Sequence, residues 1–183
     1  MAQNKNLEGT KTQANLMAAF AGESQARNKY TYYGAQARKE GYQQIGEIFD
    51  MTASNEEAHA KIWFKLLHNE EIPTTTENLA DAAAGEHYEW TQMYANFAQE
   101  AREEGFERIA FLFDSVAKIE HEHEERFQTF LEAVKSSTVF NKGAQTVWIC
   151  RNCGHIHIGA QPPEYCPVCS HPRAYFEVKA NNY

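Results

Sequence analysis

The chain has 183 residues, the length of one domain or of a domain followed by a small module. Its 43% of hydrophobic and 23% of charged residues are typical of a globular protein with a buried core, which excludes wholesale disorder. Twenty-five acidic against seventeen basic residues leave a formal net charge of -8. This charge disfavours nucleic acid and anionic lipid surfaces as partners.

The start of the chain and its cysteines indicate the compartment. Residues 1–15 are polar, and the sequence contains no apolar run long enough for a signal peptide or a membrane span. The four cysteines form two Cys-x-x-Cys pairs close to the end of the chain. In a reducing compartment such pairs indicate metal binding rather than disulfides, so we expect a cytoplasmic protein.

The predicted elements change in kind near residue 137. Up to that point apolar residues recur every three or four positions, which predicts helices at about residues 12–40, 43–68, 78–104 and 106–135. Beyond it, glycine, proline, cysteine and the apolar segments 146–149 and 174–178 predict turns and short strands. We therefore predict an all-α four-helix bundle over residues 1–137 and a small β domain with cysteine knuckles over residues 138–183.

An internal repeat organises the helical part. Residues 37–42 (ARKEGY) return as residues 101–106 (AREEGF), 64 positions later, and residues 21–23 (AGE) return as residues 84–86, 63 positions later. The glycine in each longer segment is a helix stop. The repeat thus predicts two equivalent helical hairpins, each with an apolar stripe interrupted midway by carboxylates.

These carboxylates indicate a two-metal site. The first and third helices contribute Glu23 and Glu86, and the second and fourth contribute the Glu-x-x-His pairs Glu56/His59 and Glu120/His123. Buried carboxylates are costly without a compensating cation, and this ligand set is that of the di-iron carboxylate proteins. Oxygen ligands with two imidazoles favour iron or manganese. A single Glu-x-x-His is most often a solvated pair, but its recurrence at repeat-equivalent positions favours the metal interpretation.

The repeat is asymmetric at one position. Glu89 corresponds to Ala26 at the 63-residue spacing, so the third helix carries an extra carboxylate. Our hypothesis is that His59 and Glu89 compete for one metal, the imidazole favoured by ferrous and the carboxylate by ferric iron. Tyr30 and Tyr94 lie near the ligands, where a phenol could hydrogen-bond a carboxylate; the alternative of ordinary core tyrosines stays open.

The cysteine pairs predict a second metal site. Two knuckles separated by residues 154–165 present four thiolates to one ion: Cys150, Cys153, Cys166 and Cys169. Zinc ribbons and single-iron sites share this spacing, and a neighbouring redox site favours iron. We expect an aromatic core of Trp148, Tyr165, Tyr175 and Phe176. The remaining acidic and histidine residues near these motifs are expected at the surface: Glu57, His68, His87, Glu100, His121, Glu122, His155, His157 and His171.

Several motifs carry a family resemblance. They are residues 21–28 (AGESQARN), the paired Glu-x-x-His, residues 84–89 (AGEHYE), CRNCG at 150–154 and CPVC at 166–169. Over essentially its whole length the chain resembles the rubrerythrin family, which implies a ferritin-like di-iron bundle followed by a rubredoxin-like domain. The resemblance also implies ligand roles: Glu56 and Glu120 bridge the irons, Glu23, Glu86 and Glu89 are terminal ligands, and His59 and His123 supply nitrogen.

The resemblance further implies a non-haem iron peroxidase. Such an enzyme reduces hydrogen peroxide to water in oxidative stress defence and receives electrons through the rubredoxin-like iron from a rubredoxin or an NAD(P)H-dependent reductase. Two other functions stay open, a ferritin-like iron store and an electron carrier or metal-binding scaffold. The cysteine tail argues against a storage cage, and a pure carrier would leave the carboxylates without a role.

The connection between the second and third helices is short. Residues 69–77 reach roughly 30 Å when extended, whereas the predicted helix before them is roughly 39 Å long. We therefore predict a homodimer with exchanged hairpins. Glu23, Glu56 and His59 of one protomer would meet Glu86, Glu89, Glu120 and His123 of the other.

Overall fold

The computed structural model describes residues 6–181. The helices are α1 (Lys11–Lys39), α2 (Gln43–Leu67), α3 (Thr75–Tyr88), α4 (Tyr94–Glu103) and α5 (Glu107–Lys135), and a π-helical segment, Glu89–Met93, joins α3 to α4. The strands are β1 (Thr146–Cys150), β2 (Ile156–Gly159) and β3 (Phe176–Val178). The chain divides into two compact units, Met1–Pro73 and Thr74–Tyr183. The predicted domain boundary at residue 137 falls within the second unit and stays a prediction.

The first unit is the hairpin of α1 and α2. Its turn contains Gly41, whose φ of +89° is left-handed and is therefore suited to glycine. The backbone N–H of Tyr42 donates to the carbonyl of Ala37, which closes the end of α1. Further along, Gly34 and Gly46 face each other closely, since a Cβ on Gly34 would lie 3.2 Å from the Gly46 carbonyl oxygen. The backbones of the two helices thus approach closely at this crossing, with the paired side chains of Arg38 and Asp50 packed against the glycines.

The second unit begins with the hairpin of α3, α4 and α5. The helix predicted over residues 78–104 starts three residues earlier, because Thr74 and Glu77 form a capping box with each other's backbone N–H groups. Only residues 68–74 are left to connect α2 with α3. The connection is thus even shorter than the sequence pattern suggested.

The third predicted helix is also interrupted. The repeat spacing is 63 residues at Glu86 and 64 residues at Tyr94, so one extra residue lies between them in the second hairpin. The π-helical segment Glu89–Met93, called here the π segment, absorbs that residue, and the Tyr94 N–H donates to the Glu89 carbonyl five positions back. A one-residue change in repeat spacing is therefore expressed as a wider helical turn.

The predicted apolar stripes of the two hairpins are half-exposed. Within each hairpin the buried helix positions are mostly small: Ala37, Ala53 and Ala60 in the first, and Ala83, Ala98, Ala101 and Ala110 in the second. On the stripes, Ile45 and Ile48 are 47% and 50% exposed, and Ile109 and Leu112 are 45% and 49% exposed. Contiguous apolar faces of this kind are suited to a further packing partner. Within residues 6–181 no helix combines the length and the apolar character that a bilayer span requires.

The cysteine-bearing part is a three-stranded antiparallel sheet with the order β2-β1-β3. Its small core consists of Trp148, Cys150, Cys166 and Phe176, and the Trp148 Nε1 donates to the Gly159 carbonyl at 2.9 Å. The expected contribution of two tyrosines to this core is wrong, because Tyr165 is 62% and Tyr175 is 42% exposed. The strand expected over residues 174–178 is shortened by a 3-10 turn at Arg173–Tyr175.

Candidate metal centres

The first hairpin brings three of its predicted ligands together. Glu23 from α1 and Glu56 and His59 from α2 each offer one ligand atom, and these atoms lie within 4.8 Å of one another. The His59 Nδ1 is 2.9 Å from a Glu56 oxygen and 4.0 Å from a Glu23 oxygen. The carboxylate of Glu56 is 15% exposed, while the His59 side chain is 51% exposed. The i, i+3 spacing on α2 produces this arrangement because residues three apart share a helix face.

The second hairpin repeats the same geometry. Glu86 from α3 and Glu120 and His123 from α5 form a group with the same spread of ligand atoms. The His123 Nδ1 is 2.7 Å from a Glu120 oxygen and 3.7 Å from a Glu86 oxygen. Each hairpin therefore presents two carboxylates and one imidazole, a group that could hold a metal ion.

The electrostatics of the second group favour a bound cation. Burial raises the pKa of Glu86, and the negative charge of Glu120 raises it further. Burial also raises the pKa of Tyr94, again with contributions from the nearby carboxylates, Glu89 first. Packed carboxylates without a compensating charge are unfavourable. A hard divalent cation removes that cost, so the donor set of these residues fits iron or manganese.

Three further predicted site residues lie outside these groups. Glu89 is the first residue of the π segment and is partly buried, and it does not belong to the Glu86 group. Its charge is close enough to contribute to the raised pKa values of Glu86 and Tyr94. Tyr30 and Tyr94 pack against equivalent phenylalanines, with ring centroids 6.0 Å and 5.9 Å apart. Their hydrogen bonds to ligand carboxylates stay a prediction.

The four cysteines converge as the knuckle spacing predicts. The Cys150 and Cys169 sulfurs are 3.7 Å apart, and the Cys153 and Cys166 sulfurs are 3.6 Å apart. A tetrahedron with metal–sulfur bonds of about 2.3 Å has edges of about 3.8 Å. These separations are much longer than a disulfide bond of about 2.05 Å. The geometry therefore fits one tetrahedrally coordinated metal ion.

The thiols differ in their affinity for protons. The backbone N–H of His171 lowers the pKa of Cys169 to about 6, which favours the thiolate form of this sulfur. For Cys153 the N–H of His155 acts in the same direction, but burial and the neighbouring thiols outweigh it and raise the pKa to about 12. Metal binding here must therefore displace protons.

Most of the expected surface residues are exposed, with some exceptions. Glu57, Glu100, His121 and Glu122 are exposed. His68 is partly buried because its ring stacks on Phe64 with centroids 4.1 Å apart. The three histidines of the cysteine domain are also partly buried and do not belong to the cysteine group: His155, His157 and His171.

Sequence reasoning missed a buried polar cluster beside the second group. Glu124 is 8% exposed, the one charged residue that is buried among residues 6–181. Its carboxylate accepts hydrogen bonds from the Trp90 Nε1 at 2.5 Å and the Gln128 Nε2 at 2.6 Å, and it pairs with the His87 Nδ1 at 3.1 Å. The Trp90 hydrogen bond holds the pKa of Glu124 below its usual value, despite burial. His87, expected at the surface, is half-exposed but contributes to this cluster.

A signal for this cluster exists in the sequence. Glu124 lies seven residues before Leu131 and fourteen after Ala110, both of which are buried on the same side of α5. A carboxylate in that register is on the face packed against α3 and α4 and therefore requires donors from them.

Known proteins resemble the chain over both parts. The family description "Rubrerythrin" matches residues 14–131, and "Rubrerythrin, rubredoxin-like domain" matches residues 148–177. A rubrerythrin of Nitratidesulfovibrio vulgaris is 47% identical over 190 residues, covering 98% of this chain and 100% of its own. A rubrerythrin of Porphyromonas gingivalis is 45% identical over 191 residues, which cover 98% of this chain and 96% of that protein. Nigerythrin of N. vulgaris is 32% identical over 188 residues, which cover 96% of this chain and 90% of that protein.

These matches confirm the resemblance inferred from the motifs. The fold is that of a ferritin-like helical domain followed by a rubredoxin-like domain, and the cofactors are a di-iron carboxylate site and a single metal on four cysteines. Proteins of this kind are iron-dependent oxidoreductases linked to oxidative stress. By sequence, domain order and metal-binding groups, the chain belongs to the rubrerythrin family.

Proposed function

We propose that the protein is a non-haem iron peroxidase that reduces hydrogen peroxide to water in oxidative stress defence. One observation carries the proposal: a chain of this family joins two Glu/Glu/His groups to a group of four cysteines. When bound at the Glu/Glu/His groups, iron would supply the two electrons that cleavage of the O–O bond requires, and iron held by the four cysteines would pass electrons to it from a donor. That donor is a rubredoxin or an NAD(P)H-dependent reductase. The proposed location is the cytoplasm, where reducing conditions keep the cysteines available for metal.

The proposed ligand roles follow the two groups. Glu56 and Glu120 are the least exposed carboxylates of their groups, at 15% and 13%, which suits bridging ligands between two metals. The other proposed ligands of the pair are Glu23, Glu86 and Glu89, which bind terminally, and His59 and His123, which supply nitrogen. The third metal is held by Cys150, Cys153, Cys166 and Cys169.

Proton delivery is the second requirement of the reaction, because both peroxide oxygens leave as water. Tyr94 keeps its proton across the neutral range, since burial and the nearby carboxylates raise its pKa. A protonated phenol beside the carboxylates can donate a hydrogen bond or a proton to an oxygen atom bound there. Tyr30 has the equivalent position in the first hairpin, and we propose the same role for it.

We also propose that His59 and Glu89 exchange as ligands of one metal. The first hairpin has Ala26 where the second has Glu89, so only one of the two metals has a redundant carboxylate. A neutral imidazole favours the ferrous ion, and the added negative charge of a carboxylate favours the ferric ion. Crystals in the two oxidation states test this proposal. Identical ligands at that metal in both states would contradict it.

We propose that the functional unit is a homodimer with exchanged hairpins. Residues 68–74 span roughly 23 Å when fully extended, whereas α2 is roughly 38 Å long. A connection of that reach is too short to run back along α2 within one chain. The half-exposed apolar stripes supply the faces on which a second chain can pack.

Anaerobic stopped-flow absorbance tests the peroxidase proposal. The fully reduced protein is mixed with one equivalent of peroxide or of dioxygen, and the ferric-thiolate absorbance of the four-cysteine site is followed. We expect this absorbance to return rapidly with peroxide and slowly with dioxygen. Iron-replete protein in which no such absorbance appears would contain zinc or no metal at the four-cysteine site, and the electron relay would be wrong.

The same preparation separates the peroxidase from an iron store. A peroxidase of this design binds about three irons per chain, whereas a storage protein takes up many more and assembles into a hollow cage. Iron content and molar mass in solution therefore decide between them.

A further inference from the structure

Three features are present in the second hairpin and absent from the first, and all three lie at or next to residues 89–93. The second hairpin has the π segment, the extra carboxylate Glu89 at its start, and the hydrogen bond from Trp90 to the buried Glu124. At the equivalent positions the first hairpin has a regular helix, with Ala26, Arg27 and the buried Ala60. The association of these features suggests that they serve one purpose.

The first hairpin offers a different contact at this level. Arg27 and Glu57 form an ion pair at 3.5 Å in which the two side chains are 49% and 67% exposed. Solvent screens such a pair, so it constrains the backbone weakly. By contrast, the Trp90–Glu124 bond joins a rigid indole to a carboxylate that is nearly excluded from water.

A π-helical turn is stabilised by a side-chain hydrogen bond that fixes its position, such as the one between Trp90 and Glu124. Its hydrogen bonds are less favourable than those of an α-helix, and π segments occur mainly as single turns at functional sites. Trp90 is the second residue of the π segment, and Glu124 follows His123 directly on α5. The bond therefore ties the π segment to the turn of α5 that carries Glu120 and His123.

The acceptor itself is fixed in place. Besides Trp90, the Glu124 carboxylate has the Gln128 amide and the His87 imidazole as partners, so both of its oxygens are engaged. A buried carboxylate with several charge-assisted hydrogen bonds is costly to displace. Any movement of Trp90 would break part of this network.

We propose that Trp90 and Glu124 are positioning residues, whose hydrogen bond holds the π segment in the register that keeps the Glu89 carboxylate beside the Glu86 group. The inference rests on the proposed role of Glu89 as a metal ligand. Neither residue touches the metal in this scheme. Without the bond, the extra residue can shift along the helix, and Glu89 moves away from the site.

The first test uses the metal-free full-length chain. The variants are Trp90→Phe, which removes the indole N–H, and Glu124→Gln, which keeps an acceptor oxygen for it. Trp63→Phe is the matched control, because the buried Trp63 Nε1 has no hydrogen-bond partner among the described residues. Hydrogen exchange by mass spectrometry compares residues 89–94 with residues 26–31 of the first hairpin.

We expect Trp90→Phe to raise exchange in residues 89–94 on the order of tenfold, with residues 26–31 unchanged. Glu124→Gln should raise it less, because the glutamine oxygen still accepts from the indole. Trp63→Phe should leave it unchanged. A folded Trp90→Phe chain with wild-type exchange in the π segment would overturn the inference.

The second test measures the reduction potential of the di-iron site in the iron-loaded protein. Glu89→Gln should shift this potential in the wild-type background and should have little further effect in the Trp90→Phe background, because Glu89 is already displaced there. Shifts of equal size in both backgrounds would overturn the inference. If Glu89→Gln shifts nothing in either background while peroxide still oxidises the iron, the inference fails and the proposed peroxidase stands.

Discussion

Two residues with left-handed backbone close the cysteine knuckles. After Cys153 the chain turns at Gly154 with a φ of +77°, and after Cys169 it turns at Ser170 with a φ of +59°. The N–H groups of Gly154 and Ser170 donate to the carbonyls of Cys150 and Cys166. The two knuckles are therefore equivalent in backbone, but only the first has the residue that adopts this conformation without strain.

Exchanging the residue types should have opposite effects on the two knuckles. Ser170→Gly should stabilise the cysteine domain by about 0.5–1 kcal/mol, and Gly154→Ala should destabilise it by about 1 kcal/mol. A Cβ at Gly154 meets no atom within 4 Å, so any loss there comes from the backbone alone. Thermal unfolding of the metal-loaded protein, followed at the absorption of the four-cysteine site, measures both effects. A lower midpoint for Ser170→Gly would contradict the argument.

The site residues differ in how far the sequence reveals them. The repeat places Glu23, Glu56 and His59 on one face of the first hairpin, and their equivalents in the second follow from the same spacing. Trp90 and Glu124 are not predicted by the repeat, because their equivalents in the first hairpin are Arg27 and Ala60, which form no matching pair. Their pairing depends on how the extra residue rotates the third helix, which periodicity alone does not specify.

At the scale of elements, the start of α3 depends on one exposed carboxylate. Glu77 accepts hydrogen bonds from the hydroxyl and the backbone N–H of Thr74, at 2.6 Å and 2.8 Å. The hydroxyl, and then the N–H, holds the pKa of Glu77 below its ordinary value of 4.5. A pKa lowered by folding means that the ionised carboxylate stabilises the folded state above pH 4.5, and that this stability is lost as the pH falls through the lowered pKa.

Replacing this carboxylate should therefore lower the free energy of unfolding at neutral pH but not in acid. Glu77→Gln should be less stable than the wild type at pH 7, and the difference should shrink as the pH falls below 4.5. Asp81→Asn, at an exposed position further along α3, is the control and should give a smaller difference. Urea unfolding across this pH range measures the effect. If the stability difference between the wild type and Glu77→Gln grew in acid, the lowered pKa of Glu77 could not be its cause.

Most helices and one strand can be predicted from the periodicity of apolar residues in the sequence. Five helical segments follow the predicted periodicity, and β1 occupies the apolar segment at residues 146–149 as expected. The early start of α3 is encoded in Thr74 and Glu77, and the interruption at Glu89 is encoded in the change of repeat spacing. Strand β2 is not predicted by the sequence pattern, because its four residues, IHIG, contain only two apolar side chains. It forms a strand by pairing with β1.

The cysteine domain should depend on its metal. Its core consists of four residues, and two of these are cysteines of the metal group. So small a core cannot offset the cost of ordering the segment, whereas a structural metal contributes roughly 10–16 kcal/mol. Chelation should therefore remove the dispersed NMR signals of residues 146–178, including the Trp148 indole, while helicity is kept. Return of the signals with zinc is the control, and their persistence in metal-free protein would contradict the prediction.

At the scale of the whole molecule, hairpin exchange can be tested by complementation. Glu56→Ala inactivates the first hairpin and Glu120→Ala the second. In an exchanged dimer of the two variants, one site receives both defects and the other receives none. If each site came from one chain, every site in the mixed dimer would carry a defect.

Co-expression of the two variants should therefore restore peroxide reduction that neither variant has alone. Random pairing gives about half mixed dimers with one intact site in two, so the activity should approach about one quarter of the wild-type value. Either variant expressed alone is the control. Activity at background level in purified mixed dimers would exclude the exchange.

The π segment also limits how far the two hairpins can substitute for each other. The matched helices, glycines and ligand groups make the hairpins two copies of one pattern, and a single extra residue in the second copy accounts for both the odd spacing and the wider turn. The halves are therefore not interchangeable, since a substitution in one copy meets surroundings that the other does not offer. One extra residue and one extra carboxylate, both in the second hairpin, thus make two otherwise repeated halves unlike at their metal groups.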